Sequence, residues 1–92
     1  MLATTDLSWA QTAAGQARHR LEEMGAELDA ALRVLDGAAH ATDWRSPAAD
    51  SYHRDIAALR TDVLRLRGRV DDLATTAVGA GVLLARLAER QG

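Results

Sequence analysis

The sequence predicts an all-α fold, an antiparallel helix-turn-helix hairpin of coiled-coil type, and three observations carry that expectation. First, apolar residues make up 48% of the 92 positions but only 3% are aromatic. Alanine supplies twenty and leucine thirteen, residues that favour helices and leave little for a β-sandwich or barrel to pack. Second, the apolar residues recur at alternating spacings of three and four, which keeps one stripe on a helix face. Third, turn-forming residues are concentrated between Asp36 and Ser51, where the chain's one proline, Pro47, also lies.

Taken in order, the first helix is expected over about residues 6–40. Its stripe reads Leu7, Ala10, Ala14, Ala17, Leu21, Met24, Leu28, Ala31, Leu35 and Ala38. The turn is placed at 41–46. Ser46 and Pro47 form a helix start, with serine as N-cap and proline at the first helical position. The second helix is expected over about 47–90, with a stripe of Ala49, Tyr52, Ile56, Leu59, Val63, Leu66, Val70, Leu73, Ala77, Ala80, Leu84 and Leu87. No charge interrupts either stripe, and the alternation at period two that a strand needs is absent.

A short connection makes the two helices antiparallel neighbours in one domain, 1–92. Folding about Asp43 sets Leu35 near Tyr52, Leu28 near Leu59 and Leu21 near Leu66. At about 1.5 Å per residue the helices run roughly 50 and 65 Å, so the C-terminal end of the second overhangs the first.

Two helices alone bury little apolar surface against the entropy of ordering the chain. Apolar residues off the stripes, Leu32 and Val34 on the first helix and Leu64, Val78 and Leu83 on the second, suggest a further face. That face is expected to dock another hairpin, in a homodimer or heterodimer, and make a four-helix bundle. Gly79 and Gly81 lie inside the second helix, where each costs about 1 kcal/mol against alanine. That stretch either frays or admits a partner helix closely.

Charge and composition narrow the chemistry. Eleven arginines and no lysine face thirteen acids, a net charge of −2, which argues against nucleic acid or an anionic membrane as the main partner. No cysteine is present, so disulfides, thiolate catalysis and cysteine-zinc sites are excluded. No apolar run is long enough to span a membrane, and residues 1–10 lack the basic and apolar segments of a secretory signal. His19, His40 and His53 do not pair at three or four residues, so they are read as solvated and no metal is expected. Ser8, Ser46 and Ser51 show no activating spacing, and no cofactor or catalytic residue is expected. Arg60 and Arg67 share one side of the second helix, whereas Arg65 and Arg69 lie on the other. A phosphate-tracking stripe would share one face, so these arginines are expected to flank the seam and pair with acids such as Glu23 and Glu27 or those of a partner.

The arrangement around the break is more particular. A helical run ends, Trp44-Arg45-Ser46 follows, then Ala48-Ala49, Tyr52 and a second heptad helix. This resembles the WXG100 (ESAT-6-like) family of helical hairpins of type VII secretion, in length, architecture and the mid-chain tryptophan. That family's motif is Trp-x-Gly, and here Ser46 stands at the glycine position. Directly exported members often carry a Tyr-x-x-x-Asp or Tyr-x-x-x-Glu signal beyond the second helix, whereas no tyrosine follows Tyr52 here. The chain therefore looks like the signal-lacking member of a pair, exported with a partner that supplies the tail, or else it forms a homodimer. The resemblance implies a helical-bundle dimer, no catalysis, and export by a signal-peptide-independent route with a cytoplasmic stage before it. It also implies recognition by a secretion ATPase through Trp44 and the Ser46 position, with Trp44 beside the end of the partner's second helix. The alternatives are a cytosolic adaptor or chaperone for a type VII effector or toxin, and an arginine-rich DNA-associated hairpin.

Overall fold

The computed structural model describes residues 6–41 and 46–91. It is all-helical: α1 spans Ser8–Ala41 and α2 spans Pro47–Gln91. The two pack against each other along an extended hairpin of 72 × 16 × 14 Å, a length that α2 alone accounts for at about 1.5 Å per residue.

Each helix starts on a side-chain cap. Asp6 accepts from the Ser8 N–H at 2.8 Å and from the Ser8 hydroxyl at 2.6 Å, which satisfies a donor that the first turn leaves without a backbone partner. At α2 the Ser46 hydroxyl oxygen accepts from the Ala49 N–H at 3.0 Å, and the Ser46 carbonyl accepts from the Asp50 N–H at 3.0 Å. Ser46 is therefore the N-cap and Pro47 opens the helix, as the sequence predicts. Asp50 stands in the first turn, where the helix dipole favours an anion. Both helices are continuous, and α2 runs through Gly79 and Gly81 without a break.

The packing differs from the expectation in rotation and in register. On α1 eight of the ten predicted stripe residues are half-buried, and only Ala17 and Met24 are exposed. On α2 every second stripe residue, Ala49, Ile56, Val63, Val70, Ala77 and Leu84, is buried or half-buried, and the residues between them are exposed. Met24, Tyr52, Leu59, Leu66 and Leu73 are exposed, by 43% to 55%. On α2 the residues one step further along the chain, His53, Arg67, Ala74 and Gly81, are buried or half-buried in their stead. On α1 Gly25 is buried where Met24 is not, and Gln11, Leu32 and Ala39 are half-buried beside Ala10, Ala31 and Ala38.

The register is marked by cross-helix bonds from His53 to the Ala39 carbonyl, from Arg60 to Asp36 and from Arg67 to Asp29. The reason lies in Gly25, which is buried. A Cβ added there would lie 2.8 Å from Nη1 of Arg67, so the missing side chain is the slot that admits the guanidinium. The long arginine stem covers apolar surface while its head reaches Asp29.

Candidate functional site

Two features stand out as candidates: the cap of α2 beside the turn, and a face of the hairpin that neither helix covers. Trp44 lies outside the described residues. Ser46 is described, exposed, and engaged as the α2 cap. Beside it, Tyr52 is 45% exposed and its ring meets that of His53 edge-on, with centroids 6.2 Å apart.

His53 corrects the reading of the histidines as solvated. It is only 6% exposed, with Nδ1 2.8 Å from the Ala49 carbonyl and Nε2 2.9 Å from the Ala39 carbonyl. A ring N–H at Nε2 ties α2 to the last turn of α1, where helix carbonyls lack backbone partners. The sequence held no signal for this, because the ring's role depends on which helix face turns inward.

The charged residues divide the hairpin into two unlike faces. On one, Arg60 pairs with Asp36 at 2.9 Å, and Arg67 pairs with Asp29 at 3.0 Å and with Asp71. The hydrogen bond to Asp29 raises the Arg67 pKa above the ordinary arginine value, with desolvation opposing it. The arginines do flank the seam, but their acids are Asp29 and Asp36 rather than Glu23 and Glu27. An open groove on this same face, about 340 Å³, is lined by Gln11, Ala14, Gly15, Arg18, Ala77, Val78, Gly81, Val82 and Ala85 at the end far from the turn.

The opposite face follows from the antiparallel geometry. Residues that lie on one side of the seam on α1 share a face with the corresponding heptad positions of α2. The ion pairs and the groove mark one side; the other carries Ala10, Ala17, Met24, Ala31 and Ala38 from α1, and Tyr52, Leu59, Leu66, Leu73, Ala80 and Leu87 from α2. No charge interrupts it. The α2 row alone runs over 35 residue steps, about 50 Å, and its leucines and tyrosine are exposed between 37% and 55%.

The five residues expected to dock another hairpin are not brought together. Leu32 is half-buried in the seam between the two helices. Leu64 and Val78 lie on the ion-paired side, where Val78 lines the groove. Val34 and Leu83, 70% and 58% exposed, edge the apolar face. Among the described residues, no group of three or more His, Asp or Glu side chains could hold a metal ion. No helix there is long and apolar enough to cross a membrane.

Fold and faces together define a class: a two-helix hairpin with one charge-free face, on which, among the described residues, Met24 and the α2 row Tyr52, Leu59, Leu66, Leu73 and Leu87 stay exposed. No family model, curated protein or solved structure matches the chain.

Proposed function

We propose that this chain is a small association protein of the WXG100 (ESAT-6-like) kind, which acts by pairing its hairpin with another and by presenting the Trp44–Ser46 turn to a type VII secretion ATPase, without catalysis. The observation that carries the association half is the uncovered apolar face. A contiguous apolar surface of this size is a mark of a protein–protein contact. Ser46 supports the secretion half, because its cap at the glycine position of the Trp-x-Gly motif starts the second helix where that motif requires.

The test is export from a type VII-competent host. Trp44→Ala is expected to keep the protein folded inside the cell and to remove it from the medium. Unchanged export of Trp44→Ala would refute the role given to the turn. The cytosolic adaptor reading is the runner-up, supported by the same apolar face, and it requires that the protein never reach the medium while co-purifying with an effector. The DNA reading loses its support because Arg60 and Arg67, its best candidates, are engaged with Asp36, Asp29 and Asp71.

A further inference from the structure

The ring of His53 meets a carbonyl oxygen at each of its nitrogens. Nδ1 lies 2.8 Å from the Ala49 carbonyl on its own helix, and Nε2 lies 2.9 Å from the Ala39 carbonyl on α1. A carbonyl oxygen only accepts, whereas a neutral imidazole carries one N–H and one lone pair. In either neutral tautomer, one of the two contacts therefore sets a lone pair against an oxygen at hydrogen-bond distance. Only the doubly protonated ring donates to both.

The surroundings pull in two directions. Burial of the ring opposes a charge on it. The end of α1 favours one, because Ala39 lies among the last four residues of Ser8–Ala41, where carbonyls lack intrahelical partners and the helix dipole is negative. Nearby charges of both signs offset one another. On α2, Asp50 and Arg54 stand beside the ring, and Asp55 falls on the far side of the helix. On α1 the neighbours of Ala39 are exposed His40 and, one turn earlier, Asp36, which Arg60 holds at 2.9 Å. Tyr52 meets the ring edge-on, and Asp43 and Arg45 of the turn lie outside the described residues. A notch of about 490 Å³, lined by Asp50, His53, Arg54 and Ala57, opens beside the ring and gives a proton its route from solvent.

Place in the chain gives this ring its leverage. The Nε2 contact spans the connection between the helices and fastens the last turn of α1 to the second turn of α2, next to the Ser46 cap. We propose that His53 is a proton-operated latch on the turn end of the hairpin. With both ring nitrogens protonated it ties the last turn of α1 to α2; loss of the second proton breaks one of its two bonds and loosens that turn. The hold is complete at the acidic end of the range from about pH 5 to 8, in which a histidine changes charge, and is lost as pH rises through it. The latch rests on neither the association nor the secretion reading, because both of its bonds lie within one chain.

Two measurements on the full chain test it. Nitrogen-15 NMR of the imidazole rings reads the proton on each ring nitrogen, with His53 identified by elimination through His19→Gln and His40→Gln, both at exposed positions. His53 is expected to carry protons on both nitrogens near pH 5.5 and on one near pH 8. A ring that keeps one protonation state over that range, neutral or charged, overturns the latch, and this readout needs no change at His53.

Amide exchange reads the hold itself. Protection of the amides of residues 38–41, taken relative to unfolded-chain exchange at the same pH, is expected to fall on the order of tenfold between those two pH values. His40→Gln is expected to leave that fall in place, whereas His53→Gln, which keeps a donor but cannot titrate, is expected to remove it. Protection that does not change with pH, a fall that persists in His53→Gln, or one that His40→Gln abolishes would each overturn the proposal.

Discussion

The half of the hairpin next to the turn and the half that holds its open end are built from the same heptads and differ in what fills the seam. Every residue found buried among those described, Gly25, Ala49, His53, Ile56 and Val70, lies in the turn half. So do the cross-helix bonds from His53, Arg60 and Arg67. Beyond Val70 the seam consists mostly of small residues, Ala10, Ala14, Ala74, Ala77, Gly81 and Ala88, with Leu7, Gln11, Leu21 and Leu84 among them, all half-buried at most, and it opens into the groove. The lesson concerns cross-section. A two-helix layer shields a side chain only where its neighbours are long enough to close over it, and small residues leave gaps that the backbone does not fill.

The largest expected effect breaks the closed half. Ile56→Ala removes a buried side chain and is expected to lower stability by about 2–4 kcal/mol. The matching change in the open half, Leu84→Ala, is expected to cost less than half as much, because Leu84 is only half-buried. Urea unfolding of both variants at one protein concentration measures the difference. Equal costs would mean that the two halves are equally closed.

Glycine substitutions sharpen the contrast with a smaller effect. A Cβ at Gly79 or Gly81 meets nothing within 4 Å, so Gly79→Ala and Gly81→Ala are each expected to stabilise by about 1 kcal/mol through helix propensity. Amide exchange in residues 74–86 should slow accordingly. Gly25→Ala has the same propensity gain, but its methyl meets the Arg67 guanidinium and forces it off Asp29. It is expected to stabilise by less than Gly79→Ala, or to destabilise.

The smallest effect lies at the open end itself. Hydrogen bonds from the Ser8 side chain and backbone hold the Asp6 pKa below the ordinary carboxylate value. A lowered folded-state pKa adds stability above the unfolded value of about 4, and that contribution is lost as pH falls through the lowered one. Protection of the first amides of α1, taken relative to unfolded-chain exchange at the same pH, should therefore fall on acidification, and Asp6→Asn should remove that pH dependence. The change should stay local to the first turn, since Asp6 is exposed.

Much of this architecture was legible in the residues. Ser46-Pro47 marked the start of α2 because a hydroxyl cap followed by proline satisfies a helix N-terminus whatever surrounds it. The heptads of Leu21, Leu28 and Leu35, and of Ile56, Val63 and Val70, placed one row of the seam on each helix. The candidate face was present in the sequence as well, as the row Tyr52, Leu59, Leu66 and Leu73, but it was read as seam. Leu64 and Val78, read as part of a docking face, are exposed on the ion-paired side.

That exchange has a physical cause. A heptad carries two apolar rows, and periodicity states that both lie on one broad face of the helix without stating which of them the neighbouring helix covers. Local chemistry alone therefore determined the helices, their caps and their antiparallel pairing, because propensity, capping and a short connection act within a few residues. The rotation of each helix was decided by tertiary structure. Gly25 accommodates Arg67, Asp29 and Asp36 hold Arg67 and Arg60, and the Ala39 carbonyl meets His53, all across sequence separations of 14 to 42 residues. Those contacts turn the leucine row outward, so that among the described residues Leu59, Leu66 and Leu73 stay exposed although the heptad pattern alone would place them in the seam.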